Sequence, residues 1–159
     1  MAKRVKQPAK PAGVSRFLFR LPVWMYRRGL GWMLDDRFLM IRHTGRKSGL
    51  PRQAVVEVVR HDADTDSYIV AVGFGKQTDW YQNLLAKPDA SIQVGRLTME
   101  IRARQLSSEE GGAEMLDYAR RHPSLAKGLS QFMGIEVDGS EEDYRVAGEM
   151  LVFMQLHPR

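Results

Sequence analysis

A ten-residue stretch at 43–52, HTGRKSGLPR, holds the densest group of chemically capable side chains in the sequence. Two glycines let the backbone turn sharply and present its N–H groups. The stretch also carries three cations and two hydroxyls, at Arg46, Lys47, Arg52, Thr44 and Ser48. These are the donors that bind a phosphate. The sequence therefore predicts a phosphate site in a turn between two strands, and a solvated basic hairpin turn is the alternative interpretation.

A second segment couples a glycine-rich strand end to an aromatic helix start. Gly73, Phe74 and Gly75 follow a strand, and Trp80 and Asn83 lie in the helix that comes next. Small residues at a strand end let a flat ring approach the backbone, and a helix N-terminus offers partial positive charge. The alternative is a plain strand-to-helix connection in which Trp80 anchors the core.

The elements that position these segments are mostly short strands. β-branched and alternating patterns predict strands at 37–43, 53–60, 68–73, 91–94, 98–105 and 150–156. Helices are predicted at 79–87, with Asp79 and Gln82 as a capping box, from Ser107 to Arg121, with Glu110 completing a second box, through Phe132, and after Ser140. About six strands in mostly antiparallel order indicate an α+β protein with a closed or split β-barrel. The absence of GxGxxG disfavours a Rossmann fold.

The first 34 residues differ from the rest. Residues 1–14 predict a flexible basic tail, 15–34 an amphipathic helix, and 35–159 the barrel domain. Two placements of the helix stay open: on a membrane surface through its arginines and aromatic residues, or packed against the barrel. No run reaches the ~18 apolar residues of a membrane span, so we expect a cytoplasmic protein, peripheral to the inner membrane face at most.

Length and composition narrow the function classes. The 159 residues suit one domain, and the absence of cysteine excludes disulfides, thiolate metal sites and a cysteine nucleophile. Residues 1–60 hold 14 Lys/Arg and 3 Asp/Glu, whereas the net charge of the whole chain is only +5. A local basic region attracts an anionic partner, but no nucleic-acid-binding motif accompanies it, so nucleic acid is disfavoured. We expect a small-molecule substrate, no metal, and a monomer or homodimer.

The two motifs together resemble a known family. GRKSGLPR at 45–52 and WYQNLLAKP at 80–88, with a glycine-containing strand end between them, are similar to the deazaflavin-dependent nitroreductase family of split β-barrel oxidoreductases. The resemblance covers residues 38–104 best. It implies the FMN-binding-like split barrel and coenzyme F420, whose reduced form gives two electrons to quinones, nitroaromatics, enones and related substrates.

The resemblance also implies roles for particular residues. The cofactor site is expected to comprise the turn residues, the strand end beside the ring and two helix residues: Thr44, Arg46, Lys47, Ser48, Gly49, Leu50, Pro51, Arg52, Ala71, Val72, Gly73, Phe74, Gly75, Trp80 and Asn83. Members of the family close the substrate pocket with several tyrosines from the C-terminal third, where this chain has tyrosines only at 118 and 144. Tyr144 is the predicted catalytic proton donor, with Tyr26 and Tyr81 as alternatives.

Two other functions remain open at this point. Split barrels also hold ordinary flavins, so an FMN- or FAD-dependent oxidoreductase is the first alternative to an enzyme dependent on F420. The second is a carrier that binds a flavin, haem or lipid without catalysis. The substrate itself is not specified by these motifs.

Overall fold

The computed structural model describes residues 2–4 and 37–159. The predicted amphipathic helix at 15–34 and the tail from residue 5 onward lie outside these residues. In chain order the described elements are β1 Lys3–Arg4, β2 Phe38–Thr44, β3 Pro51–Asp62, β4 Ser67–Ala71, α1 Asp79–Ala86, β5 Asp89–Val94, β6 Leu97–Gln105, α2 Ser108–Arg121, α3 Pro123–Phe132, β7 Ile135–Glu136, α4 Glu141–Met150 and β8 Phe153–Pro158. Within the described part, no helix combines the length and apolarity needed to cross a membrane.

Six strands close into an antiparallel barrel in the order β2-β3-β4-β8-β6-β5. β2 and β3 form a hairpin whose register runs from Phe38 opposite Glu57 to Thr44 opposite Pro51. β2 also pairs with β5, which closes the ring. Closure gives each barrel strand a hydrogen-bonded neighbour on both sides. The α+β barrel predicted from the strand patterns is therefore confirmed.

Strand alternation divides the core into two apolar clusters. On β4, Tyr68 and Val70 point into the barrel interior, whereas Ile69 between them packs with a second cluster that includes Met115 and Phe153. Successive side chains on a strand point to opposite faces, so β4 is buried on both. The second cluster lies between the barrel and the C-terminal helices.

Local capping sets where the C-terminal helices begin. The Ser107 hydroxyl accepts from the Glu110 N–H at 3.1 Å, and the Glu110 carboxylate accepts from the Ser107 N–H at 2.9 Å. This capping box is the one predicted for the helix that ends at Arg121. Pro123 occupies the first turn of α3, and Ser140 caps α4 by accepting from the Asp143 N–H. These boundaries are confirmed.

Helices α2 and α4 approach each other closely through glycine. A Cβ at Gly148 would lie 2.3 Å from the Gly111 carbonyl oxygen, 2.6 Å from the Met115 Cβ and 2.8 Å from the Gly112 Cα. None of these atoms is the end of a flexible side chain, so only a residue without a Cβ fits. The glycines bring the two helices together over the barrel.

Three predictions about local structure were wrong. Lys3–Arg4 form a strand antiparallel to β7, so residues 3 and 4 are not part of a flexible tail. Backbone hydrogen bonds to β7 order these two residues although their sequence has no apolar pattern. Met150 is the last residue of α4, and the final strand starts only at Phe153. Asp79 and Gln82 form no capping box, because Thr78 is the N-cap and makes no side-chain cap bond.

Candidate functional site

The turn between β2 and β3 is tight and internally bonded. The Gly45 N–H donates to the Leu50 carbonyl at 2.9 Å, and the Gly49 N–H donates to the Gly45 carbonyl at 2.8 Å. Gly49 has a φ of +71°, which favours glycine. A Cβ at Gly45 would lie 2.5 Å from the Ser48 Oγ. The two glycines therefore shape a turn that presents Arg46, Lys47 and Arg52 at its surface.

Asn83 on α1 holds this turn from behind. Its side-chain oxygen accepts from the Arg46 backbone N–H at 3.0 Å and from the Arg46 Nη1 at 2.8 Å. Because both partners can only donate, the orientation of the amide follows from the contacts. The side chain is buried, with 4% of Asn83 exposed. Asn83 thus fixes the direction of Arg46 through two bonds.

The same amide determines the state of His43. The Asn83 Nδ2 lies 3.1 Å from the His43 Nδ1. Since the amide nitrogen donates, Nδ1 must accept, and the ring proton lies on Nε2. The pKa of His43 is lowered from 6.5 to about 4, mainly because the ring is buried and also because the Arg52 cation lies near it, while the Asp79 carboxylate partly opposes the shift. His43 is therefore a neutral ring at the base of the turn.

This shift predicts a pH dependence of stability. The pKa of His43 is lower in the folded than in the unfolded chain, so between pH 6.5 and 4 only the unfolded chain takes up the proton. The stability that the neutral His43 ring contributes is fully present above pH 6.5 and is lost as the pH falls. The free energy of unfolding then decreases by up to about 1.4 kcal/mol per pH unit. Urea unfolding across this range should show a shallower decline for His43→Gln, whose amide oxygen can still accept from Asn83. Equal slopes in wild type and His43→Gln would contradict the prediction.

A polar cavity of about 550 Å³ opens beside the turn. It is lined by His43, Gly45, Arg46, Lys47, Ser48, Arg52, Gln53, Ala54, Asp79, Trp80 and Asn83. Three of these residues are cationic and one, Asp79, is anionic. The Arg46 Nη2 lies 3.4 Å from an Asp79 carboxylate oxygen, and the Asp79 side chain is 66% exposed. An exposed pair of this kind is weak, so the positive charge of the cavity dominates.

An apolar cavity of about 580 Å³ lies next to it. Its walls come from β2, β3, the end of β4, and the helices α1, α2 and α3: Arg37, Phe38, Val55, Val56, Glu57, Val59, Ala71, Gly73, Phe74, Trp80, Tyr118, Ser124, Leu125, Gly128, Leu129 and Phe132. The Phe74 and Phe132 rings meet edge to face with centroids 5.5 Å apart. Both cavities have the volume of small-molecule sites.

The two cavities adjoin each other. Trp80 lines both. On β3, Gln53 and Ala54 line the polar cavity, and the next residues, Val55 and Val56, line the apolar one. Strand β3 and the Trp80 indole ring therefore border both the cationic and the apolar cavity. A single elongated ligand with an anionic end and a flat apolar end could occupy both.

The structure brings most of the predicted cofactor residues to these cavities. Arg46, Lys47, Ser48, Arg52 and Asn83 line the polar cavity, and the strand-end residues Ala71, Gly73 and Phe74 line the apolar one. Trp80 connects the two groups. The residues that the sequence analysis assigned to one cofactor site therefore line two cavities that lie side by side.

The other predicted residues line neither cavity. Thr44, Gly49, Leu50 and Pro51 shape the turn, and Leu50 is 55% exposed. Val72 is fully buried in the barrel core. Gly75 has a φ of +78° and its carbonyl accepts from the Thr78 hydroxyl at 2.7 Å. These residues contribute to the site by shaping the backbone that carries the lining residues, and their own side chains do not line a cavity.

Neither of the described tyrosines predicted as proton donors, Tyr144 and Tyr81, lines the cavities. Tyr144 is buried in the cluster between the barrel and the helices. Tyr81 is buried in the barrel core and donates its hydroxyl to the Gln105 side-chain oxygen at 2.7 Å. Tyr26 lies outside the described residues. The geometry therefore gives no support to Tyr144 as a proton donor, and that role stays an untested prediction.

Sequence reasoning missed the residues at the far wall of the apolar cavity. Tyr118 on α2 and Glu57 on β3 face each other there, with the Tyr118 hydroxyl 3.5 Å from a Glu57 carboxylate oxygen. The α3 wall could have been found from the spacing of Leu125, Leu129 and Phe132, which places one apolar stripe on a helix that stays half-exposed. No local signal pairs Glu57 with Tyr118.

Removing the Asn83 amide should loosen the turn. Asn83→Ala leaves the Arg46 donors and the His43 Nδ1 without their buried partner, so we expect a loss of about 2 kcal/mol in the free energy of unfolding. Urea denaturation measures it. The control is Gln82→Ala, the next residue on α1, whose amide donates to the Lys76 carbonyl in an exposed contact. If Asn83→Ala were no more harmful than Gln82→Ala, the amide would not hold the turn.

Comparison with known proteins places this chain near one group of enzymes. A family model described as F420H(2)-dependent quinone reductase matches residues 18–126. The protein Rv3178 of Mycobacterium tuberculosis is 33% identical over 87 residues, which are 53% of this chain and 71% of that protein. Rv1261c of the same species, named F420H(2)-dependent quinone reductase, is 31% identical over 85 residues, or 52% of each chain. The matched part thus spans about half the length of Rv1261c.

Solved structures show the same fold. An F420-H2 dependent reductase, FDR-A, has a TM-score of 0.53 at 21% identity, with 77% of this chain and 96% of that chain covered. A protein solved as a domain-swapped dimer has a TM-score of 0.54 at 19% identity, with 91% of this chain and 100% of that chain covered. At these identities the likeness concerns the fold alone, and it supports the split-barrel assignment.

Proposed function

This chain belongs to the F420H(2)-dependent quinone reductase family, and we propose that its polar and apolar cavities together hold coenzyme F420 and a quinone substrate. The family makes the chain an oxidoreductase with coenzyme F420 as its cofactor. The observation that carries the placement is the pair of adjoining cavities, one cationic and one apolar, joined at Trp80.

The cationic turn suits the phosphate of the cofactor. Arg46, Lys47 and Arg52 supply charge, and Ser48 supplies a hydroxyl, all on the wall of one cavity. Gly45 and Gly49 let the chain form the tight turn that carries these side chains, since a Cβ at Gly45 would strike the Ser48 Oγ and Gly49 has a positive φ. A phosphate would also offer Arg46 a stronger partner than the exposed Asp79 carboxylate. The donor set therefore fits the group.

The apolar cavity suits the ring and the substrate. Ala71 and Gly73 at the end of β4 leave room for a flat ring beside the backbone, and Trp80, Phe74 and Phe132 offer aromatic surface. When bound in its reduced form, the cofactor supplies a hydride to a substrate stacked on it. The chain's own residues bind and orient the two reactants and exclude water from the space between them.

A titration tests the cofactor site directly. Purified protein is titrated with F420, with binding followed by the cofactor's fluorescence, and in parallel with FMN. We expect saturable F420 binding in the micromolar range or tighter and no comparable FMN binding. Preferential FMN binding would favour the ordinary-flavin alternative, and binding of neither would remove the assignment of the cavities.

Turnover tests the substrate proposal. F420H2 is incubated anaerobically with the protein and a naphthoquinone, and oxidation of the cofactor is followed with time. Nitroaromatic and enone compounds are assayed in the same way. We expect the quinone to react fastest because its planar, apolar ring matches the lining of the apolar cavity; cofactor binding without turnover of any of the three classes would instead favour a carrier.

A further inference from the structure

Three polar side chains stand together in the largely apolar cavity. The Tyr118 hydroxyl lies 3.5 Å from a Glu57 carboxylate oxygen, and the Arg37 Nη2 lies 3.5 Å from the same oxygen. All three residues line the cavity. At 3.5 Å these contacts are at the outer limit of hydrogen bonding, so neither donor is firmly committed to Glu57.

The cluster lies at the end of the site remote from the cationic turn. Glu57 is three residues beyond Ala54, the last β3 residue that lines the polar cavity, and at ~3.3 Å per residue the separation is about 10 Å. A ligand anchored by its phosphate at Arg46 would extend toward Tyr118. This inference therefore rests on the proposed function.

The Tyr118 ring is held in place on several sides. Tyr118 is only 4% exposed. The Arg121 guanidinium carbon lies 5.8 Å from the ring centroid, and the His122 ring centroid lies 5.6 Å away. Arg121 is in turn fixed by donating from Nη2 to the Val59 carbonyl at 3.0 Å. A ring held this way presents its hydroxyl at a defined point of the cavity wall.

Reduction of a carbonyl compound needs a donor at that kind of point. When a quinone accepts a hydride, negative charge develops on its oxygen, and a preorganised donor in a dry cavity stabilises that charge. The side-chain donors among the described lining residues are Arg37, Tyr118, Ser124 and the indole of Trp80. Arg37 and Ser124 are exposed, whereas Tyr118 is buried and faces the apolar end.

We propose that Tyr118 is a catalytic residue that donates a hydrogen bond to the substrate oxygen on which negative charge develops, and that Glu57 is a positioning residue for its hydroxyl. The substrate class is accordingly one with a carbonyl or similar acceptor oxygen on an apolar ring. The hydride comes from F420H2, and the product oxygen takes its proton from water at the exposed rim. Tyr118 keeps its own proton throughout.

The electrostatics of the cluster explain why Tyr118 keeps its proton. Burial raises the pKa of Tyr118 above its usual value, and the negative charge of Glu57 raises it further, with Arg37 opposing. A phenolate next to a carboxylate is disfavoured. Tyr118 therefore acts as a donor that stays protonated over the working pH range rather than as an acid.

The first test is Tyr118→Phe, which removes only the hydroxyl. In the quinone assay kcat should fall roughly tenfold or more, while F420 affinity by fluorescence stays at the wild-type value. Tyr81→Phe is the matched control, since it removes a buried hydroxyl that faces Gln105 in the barrel core; its kcat should match wild type. Unchanged kcat in Tyr118→Phe would overturn the proposal.

A second readout needs no turnover. In cofactor-free protein, alkaline titration followed by phenolate absorbance should lose, in Tyr118→Phe, one tyrosine that titrates above the usual range of a phenol. In Glu57→Gln the same tyrosine should titrate at lower pH, because the carboxylate charge that raises its pKa is gone. Binding of 1,4-naphthoquinone, measured by quenching of tryptophan fluorescence, should be weaker in Tyr118→Phe than in Tyr81→Phe. Identical titrations in wild type and Glu57→Gln would remove the positioning role.

The design separates this inference from the proposed function. If wild-type protein binds no F420 or reduces no quinone, the proposed function fails before any variant is compared. If wild type is active and Tyr118→Phe is equally active, only the role of Tyr118 is wrong. A drop in F420 affinity in Tyr118→Phe would assign the residue to cofactor binding and would also overturn the proposal.

Discussion

A variant that carries both Arg46→Ala and Lys47→Ala is expected to bind coenzyme F420 about 100-fold more weakly than wild type. Each cation lines the polar cavity, and a charge-assisted contact to phosphate contributes about 1.5–3 kcal/mol. The lower end of that range, taken twice, corresponds to roughly 100-fold in affinity. The affinity is measured by fluorescence titration at constant ionic strength, because exposed charges are screened by salt.

The matched control removes two cations elsewhere on the barrel. Arg42→Ala combined with Lys87→Ala changes the net charge equally, and neither residue lines the polar cavity. We expect its F420 affinity to stay within about threefold of wild type, which corresponds to less than 1 kcal/mol. If both double variants lost the same affinity, general charge attraction would explain the binding and the turn would not be a phosphate site.

Replacing Gly148 with alanine should destabilise the protein by at least about 3 kcal/mol. The new methyl group would meet the Gly111 carbonyl oxygen and the Gly112 Cα at distances that no real contact shows. Relief requires α2 and α4 to separate, which opens gaps in the apolar cluster around Met115 and Ala147. Urea denaturation measures the loss, and the midpoint should fall without a change of slope.

Gly128→Ala is the natural comparison for this substitution. Gly128 lies inside α3, and a Cβ there would meet no atom within 4 Å. Alanine is the better helix former by about 1 kcal/mol, so stability should be unchanged or raised. Wild-type stability in Gly148→Ala would mean that the helices do not pack through glycine, whereas loss in both variants would point to a general intolerance of helix substitution.

The barrel and the cationic turn could be predicted from local sequence. β-branched residues with period-two alternation mark β3 and β4, and glycines between two such segments mark the turn. Ser107, Glu110 and Ser140 determine where helices start through contacts over three residues. In each case the physical cause acts within a few positions of the residue concerned.

The substrate end of the site could not be predicted in this way. Glu57 and Tyr118 are 61 positions apart, and their contact depends on how α2 packs across the barrel. The Asn83 amide and Arg46 are likewise 37 positions apart. Single-sequence patterns contain no information on such pairings, which arise from tertiary packing. The predicted capping box of Asp79 and Gln82 was wrong because the helix begins one residue earlier, with Thr78 at the N-cap.

The choice of tyrosine shows the same limit. Tyr144 and Tyr118 both stand in the C-terminal third, and sequence alone offered no reason to separate them. The start of α4 at Ser140 directs Tyr144 toward the buried cluster, whereas the phase of α2 turns Tyr118 toward the apolar cavity. Helix phase relative to the barrel, rather than residue type, decides which of the two phenols lines the cavity.

Helix α3 has an evolutionary consequence. Leu125, Gly128, Leu129 and Phe132 line the apolar cavity, while Ala126 and Ser130 are buried. Residues on the cavity side of α3 can therefore be exchanged without disturbing the side that anchors the helix. The β2–β3 hairpin, on the other side of the cavity, is not affected either. If the proposed function holds, divergence of substrate preference, in nature or in a directed library, can be confined to this one short segment while the barrel and the cationic turn are inherited unchanged.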